Sequence, residues 1–268
     1  MKRTQALSTA FLIALLAAWV VSLIGHYDVV LDVDPNRTNA GPSSQLWLGA
    51  DDSGRDVFQR LMKSTEAFVG PGLLACFVAA LLAVPLGAWA GWTGGWLGES
   101  IRFLFTSVAA LPRFVLVLLV CSIYGTGGVT LGVAAGLAYA PALSEAIYDR
   151  VSRFRRAGFV MAAQAHGLTT KRILGWHIRW VNARALIGGH LLQLFGYFLL
   201  VETTLSFLGD FGVQEPMPSW GNMISRDALQ GGVNDLNLWA TAAPVVAIWL
   251  TVWACAKLAQ SLDEVDDV

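Results

Sequence analysis

Histidine and cysteine, the side chains that most often serve as metal ligands and nucleophiles, are few in this sequence and fit no spacing typical of such sites. The histidines are His26, His166, His177 and His190. The cysteines lie inside apolar runs, as is typical of buried free thiols: Cys76, Cys121 and Cys255. No phosphate-binding loop of the Gly-x4-Gly-Lys-Ser/Thr type occurs. The sequence therefore predicts no catalytic residue, metal or cofactor in this chain, and no site for ATP hydrolysis.

A segment of small residues within a basic stretch has the composition of a docking surface for another protein. The basic stretch covers residues 150–184 and contains Ala-Ala-Gln-Ala-His-Gly at 162–167. We predict a short helix that ends at Gly167, where glycine readily forms a left-handed cap. Its face would consist of Phe159, Ala162, Ala163 and His166. Such a face lets a partner's backbone approach closely; the alternative is that the helix packs against the protein's own inner surface.

One carboxylate falls inside a strongly apolar run, where a charge is costly and usually faces a cavity or a partner. It is Glu202, and hydroxyl side chains follow at Thr203, Thr204 and Ser206. We predict that these residues form a gate or line a transport path. Two alternatives are that Glu202 is solvated close to the outer interface, or that it holds the following loop through backbone amides.

A cation also falls inside an apolar run. Arg113 follows Pro112 and requires either water or a carboxylate partner. That carboxylate belongs either to Glu145 or to a neighbouring subunit, and the sequence does not choose between them. We assign Arg113, like Glu202, to the predicted transport path.

The elements that must position these residues are membrane-spanning helices. The chain has 268 residues, of which 55% are hydrophobic and 14% are charged. Average soluble proteins are roughly 45–50% apolar and about 25% charged, so this chain has too little charge to solvate its surface. Stretches that approach the roughly 20 apolar residues of a spanning helix lie at 6–25, 68–91, 101–124, 129–148, 185–208 and 238–258. We predict an all-α polytopic membrane protein with six transmembrane helices.

Lysine and arginine predict the orientation, because they concentrate on the cytoplasmic side of a membrane. The stretch 150–184 and the N-terminal Lys2-Arg3 fall on one side, and far fewer basic residues fall on the other. We therefore predict that both termini are cytoplasmic. The first apolar run is longer than the roughly 7–15 residues of a signal-peptide core, so an uncleaved anchor is expected. A net charge of −1 gives no sign of a nucleic-acid partner.

The predicted spans divide the chain into functional segments. In chain order these are an anchor helix at 1–27, an extracytoplasmic linker with a short helix at 28–66, a five-helix transport core at 67–260 and an acidic tail at 261–268. The core contains a cytoplasmic loop at 150–183 and an extracytoplasmic loop at 209–237. In the linker, the acidic run 51–56 lacks the ligand spacing of a calcium loop, and we predict that Asp52 or Ser53 caps the short helix.

Separated motifs in this sequence resemble a known transporter family. They are Leu-Gly-Ala-Asp-Asp-Ser-Gly-Arg-Asp-Val at 48–57, the alanine–glycine element at 162–167, Glu-Thr-Thr-Leu-Ser-Phe-Leu-Gly at 202–209 and Gly-Val-Gln-Glu-Pro-Met-Pro-Ser-Trp-Gly-Asn-Met at 212–223. Over roughly residues 45–260 they closely resemble the second-type permease subunits of dipeptide, oligopeptide and nickel importers of the ATP-binding cassette (ABC) class. The resemblance implies the type I ABC importer permease fold in a bacterial or archaeal inner membrane. It also implies a second homologous permease, two ABC ATPases that bind ATP and magnesium, and an outer solute-binding protein.

In that family the inner loop carries a signature that contacts the ATPase. The residues that match it are Ala162, Ala163, Gly167, His177 and Ile178. Met161 stands where the family has an acidic residue, and Arg179-Trp180 stands in place of Leu-Pro. The resemblance therefore implies a coupling segment whose grip on the ATPase is altered at Met161 and Arg179.

The sequence predicts a permease subunit of an ATP-driven importer, with peptides as the first substrate class and nickel or another small solute as the alternative. A secondary transporter driven by an ion gradient would be expected to show inverted repeats or several intramembrane carboxylates, and this sequence has few. A non-transporting membrane scaffold is the third interpretation, suggested by the altered signature.

Overall fold

The computed structural model describes residues 2–25, 33–169, 172, 183–209, 211–230 and 237–266. The helices within these ranges are α1 (Lys2–Ile24), α2 (Val57–Lys63), α3 (Thr65–Thr93), α4 (Gly95–Ala109), α5 (Arg113–Tyr124), α6 (Gly128–Arg155), α7 (Gly158–Ala165), α8 (Arg184–Leu208), α9 (Trp220–Gln230) and α10 (Leu238–Asp266). Over the same ranges, β-structure is limited to an isolated antiparallel bridge between Ala50 and Asp56. The predicted all-α fold is confirmed.

Five of these elements are long and apolar enough to cross a membrane. They are α1, α6, α8, α10 and the nearly continuous pair α2–α3, which is interrupted only at Ser64. The short helices α4 and α5 form a sixth span if they are counted together. The predicted spans therefore correspond to five continuous elements and one broken element.

The third predicted span, at 101–124, is not one helix. α4 ends at Ala109, α5 begins at Arg113, and the two axes differ by 80°. Pro112 explains the break, because proline has no N–H to donate and its ring disfavours helical backbone at the preceding residue, Leu111. The prediction of one continuous helix here is wrong, and the break places Arg113 at the first turn of α5.

Small residues allow α3 and α6 to pack closely. A β-carbon added at Gly136 of α6 would lie 2.7 Å from the carbonyl oxygen of Ala75, and one added at Gly87 of α3 would lie 2.6 Å from that of Ser144. Backbones that approach this closely leave room only for glycine at the crossing. Helices in lipid have no hydrophobic driving force to associate, so van der Waals contact of this kind is what stabilises the pair.

The two ends of the helical bundle carry different residues. The loop end comprises residues 33–56, α2 and the segment 211–230 that contains α9. The basic end comprises the last turn of α6, with Arg153 and Arg155, and the short helix α7. Between the ends, α1 packs against α3 and α10, while α8 packs against α3, α9 and α10.

Candidate functional sites at the two ends of the bundle

The short helix α7 is held against the basic end on one side. Val160 is fully buried and belongs to a cluster of apolar side chains with Ile147 and Val151 of α6. The exposed residues of α7 and the turn that follows it include Met161, Ala162, Ala165, His166 and Gly167. α7 is therefore anchored by one apolar side chain and presents small residues outward.

Gly167 ends this segment as predicted. Its φ of +78° is left-handed, and in the preceding turn the amide of His166 donates to the carbonyl of Ala162 at 3.0 Å. A β-carbon at Gly167 would meet no atom within 4 Å, so backbone conformation rather than space favours glycine. The predicted helix and its glycine stop are confirmed.

The other residues of the predicted contact divide into two groups. Phe159 and Ala163 lie on α7. His177 and Arg179 lie outside the described residues. The structure therefore describes α7 and its glycine stop, and the ATPase contact stays a prediction for the whole segment.

Glu202 is completely buried near the end of α8. Its Oε1 accepts a hydrogen bond from the Ser206 hydroxyl at 2.7 Å, and Ser206 Oγ accepts one from the amide of Val213 at 2.8 Å. Gly212 lies so close to Ser206 that a side chain at position 212 would overlap it. A solvated position for Glu202 is therefore wrong; the carboxylate holds the following loop, with Ser206 as the intermediary.

The neighbouring hydroxyls face different surroundings. Thr203 is half-buried, whereas Thr204 is exposed and donates to the carbonyl of Leu200 at 2.7 Å. Ser206 is buried beneath the loop. The predicted polar patch therefore does not form one continuous surface on α8.

Arg113 does not pair with Glu145. Glu145 binds Arg102 of α4, with 2.7 Å between Oε1 and Nη2. Arg113 instead lies over the ring of Tyr139, with its guanidinium carbon 4.8 Å from the ring centroid. Because α5 begins at the level of Tyr139, about 9 Å along α6 from Glu145, the alternative that pairs Arg113 with Glu145 is wrong.

A group of charged residues at the loop end was not predicted as a unit. Glu215, which follows α8, accepts from Arg55 Nη1 at 3.0 Å and from Arg60 Nη2 at 2.7 Å. Asp51 accepts from Arg55 Nε at 2.8 Å and lies 3.6 Å from Arg60 Nε. The Arg60 side chain is 1% exposed and that of Arg55 is 5% exposed. These contacts join the start of α2 to the segment after α8.

A third arginine extends this group to α9. Arg226 Nε lies 2.8 and 2.9 Å from the two carboxylate oxygens of Asp52, and Nη2 donates to Ser53 Oγ at 2.8 Å. The prediction that Asp52 or Ser53 caps α2 is wrong because Arg226 engages both side chains. The cap is Asp56, which accepts from the amides of Phe58 and Gln59. The loop-end ion cluster consists of Asp51, Asp52, Arg55, Arg60, Glu215 and Arg226.

The cluster shifts the pKa of Glu215. Burial alone would raise this pKa, but attraction to Arg60 and Arg55 and the hydrogen bonds from both guanidinium groups bring it below its usual value. Glu215 therefore stays ionised at neutral pH and compensates two nearly buried cations. In the part of the chain that the structure describes, no group of three or more His, Cys, Asp or Glu side chains is placed to hold a metal ion.

A signal for the cluster was present in the sequence but incomplete. The motif at 48–57 contains Asp51 and Arg55, which pair four residues apart, whereas the motif at 212–223 contains Glu215 and no basic residue. Their relationship depends on a separation of 155 residues between Arg60 and Glu215, which no local pattern reveals.

Residues 83–264, about two thirds of the chain, match the family model for the "binding-protein-dependent transport system inner membrane component". The chain belongs to this family. Its bundle is accordingly the type I ABC permease fold, and the protein is a multi-pass membrane permease.

Curated relatives align with nearly the whole of this permease. The glutathione transport system permease protein GsiD of Pectobacterium atrosepticum is 29% identical, over 96% of this chain and 83% of the relative. The dipeptide transport system permease protein DppC of Alkalihalophilus pseudofirmus is 31% identical, over 82% of this chain and 71% of the relative. GsiD of Shigella dysenteriae is 28% identical, over 100% of this chain and 86% of the relative.

Proposed function

We propose that this permease is one of two homologous transmembrane subunits of an ATP-driven ABC importer for peptides. The names of its relatives support this substrate class, since they transport glutathione, itself a short peptide, and dipeptides. Two ABC ATPases bind ATP and magnesium and supply the energy, and an outer solute-binding protein delivers the substrate. Nickel or another small solute is the alternative cargo.

The observation that carries the proposal is the mounting of α7. Val160 fixes the helix to α6, while small exposed residues and the stop at Gly167 form its outer surface. A helix held this way transmits force as a rigid body. When the ATPases close on nucleotide, movement of α7 tilts α6 and the helices packed on it, which is a known route to alternating access.

The distribution of basic residues supports a cytoplasmic position for α7. Arg153 and Arg155 stand at the end of α6 that leads into α7, and the stretch 150–184 holds eight of the 18 lysine and arginine residues in the chain. With the basic end in the cytoplasm, the loop end faces outward and both termini are cytoplasmic. The permease thus lies in a bacterial or archaeal inner membrane, with 1–27 as an anchor, 28–66 and 209–237 outside, and 67–260 as the transport core.

The proposal also names residues that line the transport path. Arg113 is the strongest member, because it is an exposed cation within a span. Thr203 and Thr204, at the outer end of α8, are the next candidates after Arg113. Glu202 and Ser206 hold the loop that closes over the same end of α8. They influence a gate by positioning this loop.

Copurification and uptake test the proposal together. The permease is expressed with its cognate second permease, ATPases and binding protein, purified through a tag on this chain and reconstituted in vesicles. We expect both ATPases to copurify. We expect ATP on the ATPase side of the vesicle membrane to drive uptake of radiolabelled dialanine, tetraalanine or glutathione. Uptake driven by an ion gradient without ATPases would identify a secondary transporter, and stable assembly without uptake of any solute would identify a scaffold.

A further inference from the structure

Arg113 lies about half the thickness of a bilayer core from the loop end of the bundle. It is the first residue of α5, which runs from Arg113 to Tyr124 at the loop end. At about 1.5 Å per residue, Arg113 is about 16 Å from that end of the helix, and the hydrocarbon core of a bilayer is about 30 Å thick. The break at Pro112 thus brings a guanidinium group to mid-depth.

Side chains from two other spans lie at this depth, and that of Tyr139 contacts Arg113. Tyr139 of α6, whose ring underlies the guanidinium group at 4.8 Å, is about 16 Å from the start of α6 at Gly128. Tyr197 of α8 stands about 16 Å from the end of α8, and the centroids of the two tyrosine rings are 6.4 Å apart. The Tyr139 hydroxyl donates to Gln193 Oε1 at 3.4 Å.

Gln193 supplies an exposed hydrogen-bond donor near Arg113. The Tyr197 hydroxyl, in contrast, is buried, has no partner among the described residues and does not face the path. Because the Gln193 amide oxygen accepts the Tyr139 hydroxyl, the exposed Gln193 side chain has its amide nitrogen free to donate. A guanidinium group and an amide nitrogen together favour an anionic acceptor, and a planar carboxylate fits the guanidinium fork.

An anion is also favoured on energetic grounds. Arg113 is exposed on the surface of this chain, and a cation in the hydrocarbon layer is costly unless it faces water, a cavity or a counter-charge. Glu145, which also lies on α6, is held by Arg102, and the described part of the chain contains no ion pair to Arg113. The ring of Tyr139 stabilises the cation partly, by cation–π attraction.

We propose that Arg113, Tyr139 and Gln193 form a transient binding site for the carboxylate of a peptide substrate at mid-depth in the transport path. The proposal rests on the proposed function, because the second permease must close the path opposite this surface. Tyr139 holds the guanidinium group when the site is empty, so that release of the carboxylate does not leave a bare cation. The substrate supplies the carboxylate in transit, which distinguishes this site from a permanent salt bridge between permeases.

The test compares peptides that differ only at the carboxylate. Complete importers are reconstituted with wild-type chain or with Arg113→Gln, and ATP-driven uptake of dialanine and its C-terminal amide is measured at concentrations that saturate the binding protein. We expect Arg113→Gln to lower the ratio of dialanine uptake to amide uptake by about 10- to 100-fold. Any preference of the binding protein cancels, because that protein is the same in both importers.

Two further variants separate the site from general damage. Gln193→Leu removes the exposed amide, and we expect it to lower the same ratio by about 3- to 10-fold. Arg102→Gln removes another cation from the same broken span, and we expect the ratio to stay at the wild-type value. Each variant importer is checked by gel filtration for the second permease and both ATPases.

Several outcomes would overturn the site. An equal loss of dialanine and amide uptake in Arg113→Gln, or a wild-type ratio in Gln193→Leu, would show that these residues do not bind the carboxylate. Loss of the second permease from the Arg113→Gln complex would assign the carboxylate to that subunit instead. A wild-type importer that takes up none of dialanine, tetraalanine and glutathione would refute the proposed function itself, and the site would fall with it.

Discussion

Arg60 and Glu215 are separated by 155 residues, yet Arg60 Nη2 and Glu215 Oε1 lie 2.7 Å apart at the loop end. Arg60 belongs to α2, and Glu215 follows α8, so this contact joins the start of one span to the end of another. Among the described residues, Arg55 Nη2 and Arg60 Nη1 have no hydrogen-bond partner. The two guanidinium groups therefore depend on Glu215 and Asp51 for compensation.

Replacing Glu215 with Gln tests this dependence. The variant leaves two nearly buried cations with one fewer counter-charge, and breaking a charged hydrogen bond costs about 1–3 kcal/mol. We expect the free energy of unfolding to decrease by an amount within that range and not by more, because the Glu215 side chain is 33% exposed. Thermal unfolding of the purified permease in detergent, followed by gel filtration after heating, measures the change.

The exposed pair Asp34–Arg37 provides the matched control. Its Nε–Oδ2 distance is 3.0 Å, but the two side chains are 47% and 31% exposed. Surface ion pairs contribute about 0–1 kcal/mol, so Arg37→Gln should change the melting temperature little. Equal losses in the two variants would mean that burial does not set the strength of the loop-end ion cluster.

Acidification should remove the contribution of Glu215. Its pKa in the folded protein is lowered, so its stabilising effect is fully present above the unfolded-state pKa of about 4.3 and is lost as the pH falls through the lower folded-state pKa. We expect the difference in melting temperature between wild type and Glu215→Gln to be constant from about pH 5 to 8 and to shrink below about pH 4. A difference that widened on acidification would contradict the assigned direction of the pKa shift.

Local patterns in the sequence predicted the elements well. Apolar runs of sufficient length predicted the spans, and a glycine after a run of small residues predicted the stop at Gly167, because both depend on neighbouring residues only. The position of the break in the third span is also predictable from neighbouring residues, since Pro112 cannot continue a helix. The depth of Arg113 is not predictable in this way, because it depends on how α5 packs against α6.

Pairings between distant residues could not be predicted in this way. Arg226 competes for Asp52 and Ser53, which moves the cap of α2 to Asp56. Likewise, Arg102 binds Glu145 and leaves Arg113 over Tyr139. For each charged residue, several side chains elsewhere in the chain have suitable charge to pair with it, and only the three-dimensional arrangement selects one.

The crossing of α3 and α6 should tolerate no added carbon at Gly136. A β-carbon there would lie 2.7 Å from the carbonyl oxygen of Ala75 and 2.8 Å from Cβ of Val78, which forces the helices apart. We expect Gly136→Ala to destabilise the fold by about 1–3 kcal/mol, as overpacking of a core does. Gly127→Ala is the control, because its β-carbon would meet its nearest atom, Thr130 Oγ1, only at 4.0 Å. Melting temperatures that fall equally for both glycines would show that close packing is not the cause.

Glu202 should be replaceable by Gln with little loss of uptake. The amide oxygen of Gln can accept the Ser206 hydroxyl as the carboxylate does, so the loop after α8 keeps its anchor. Ser206→Ala should be the more damaging change, because it removes the acceptor for the Val213 amide and leaves a buried donor unsatisfied, at about 1–3 kcal/mol. Uptake of dialanine by reconstituted importers ranks the two variants, and a large loss in Glu202→Gln alone would restore a direct role for the charge in the path.

Gly167 should distinguish the conformation of the α7 stop from the space around it. Its φ of +78° is strained for a β-branched residue but accessible to asparagine, and an added β-carbon has no neighbour within 4 Å. We therefore expect Gly167→Val to insert and fold normally while losing peptide uptake and the stimulation of ATPase activity by the loaded binding protein. Gly167→Asn should retain most of both activities, because the helix can still end at the same point. Normal uptake in Gly167→Val would mean that α7 does not transmit ATPase closure, since the surface offered to the ATPase would have changed without effect.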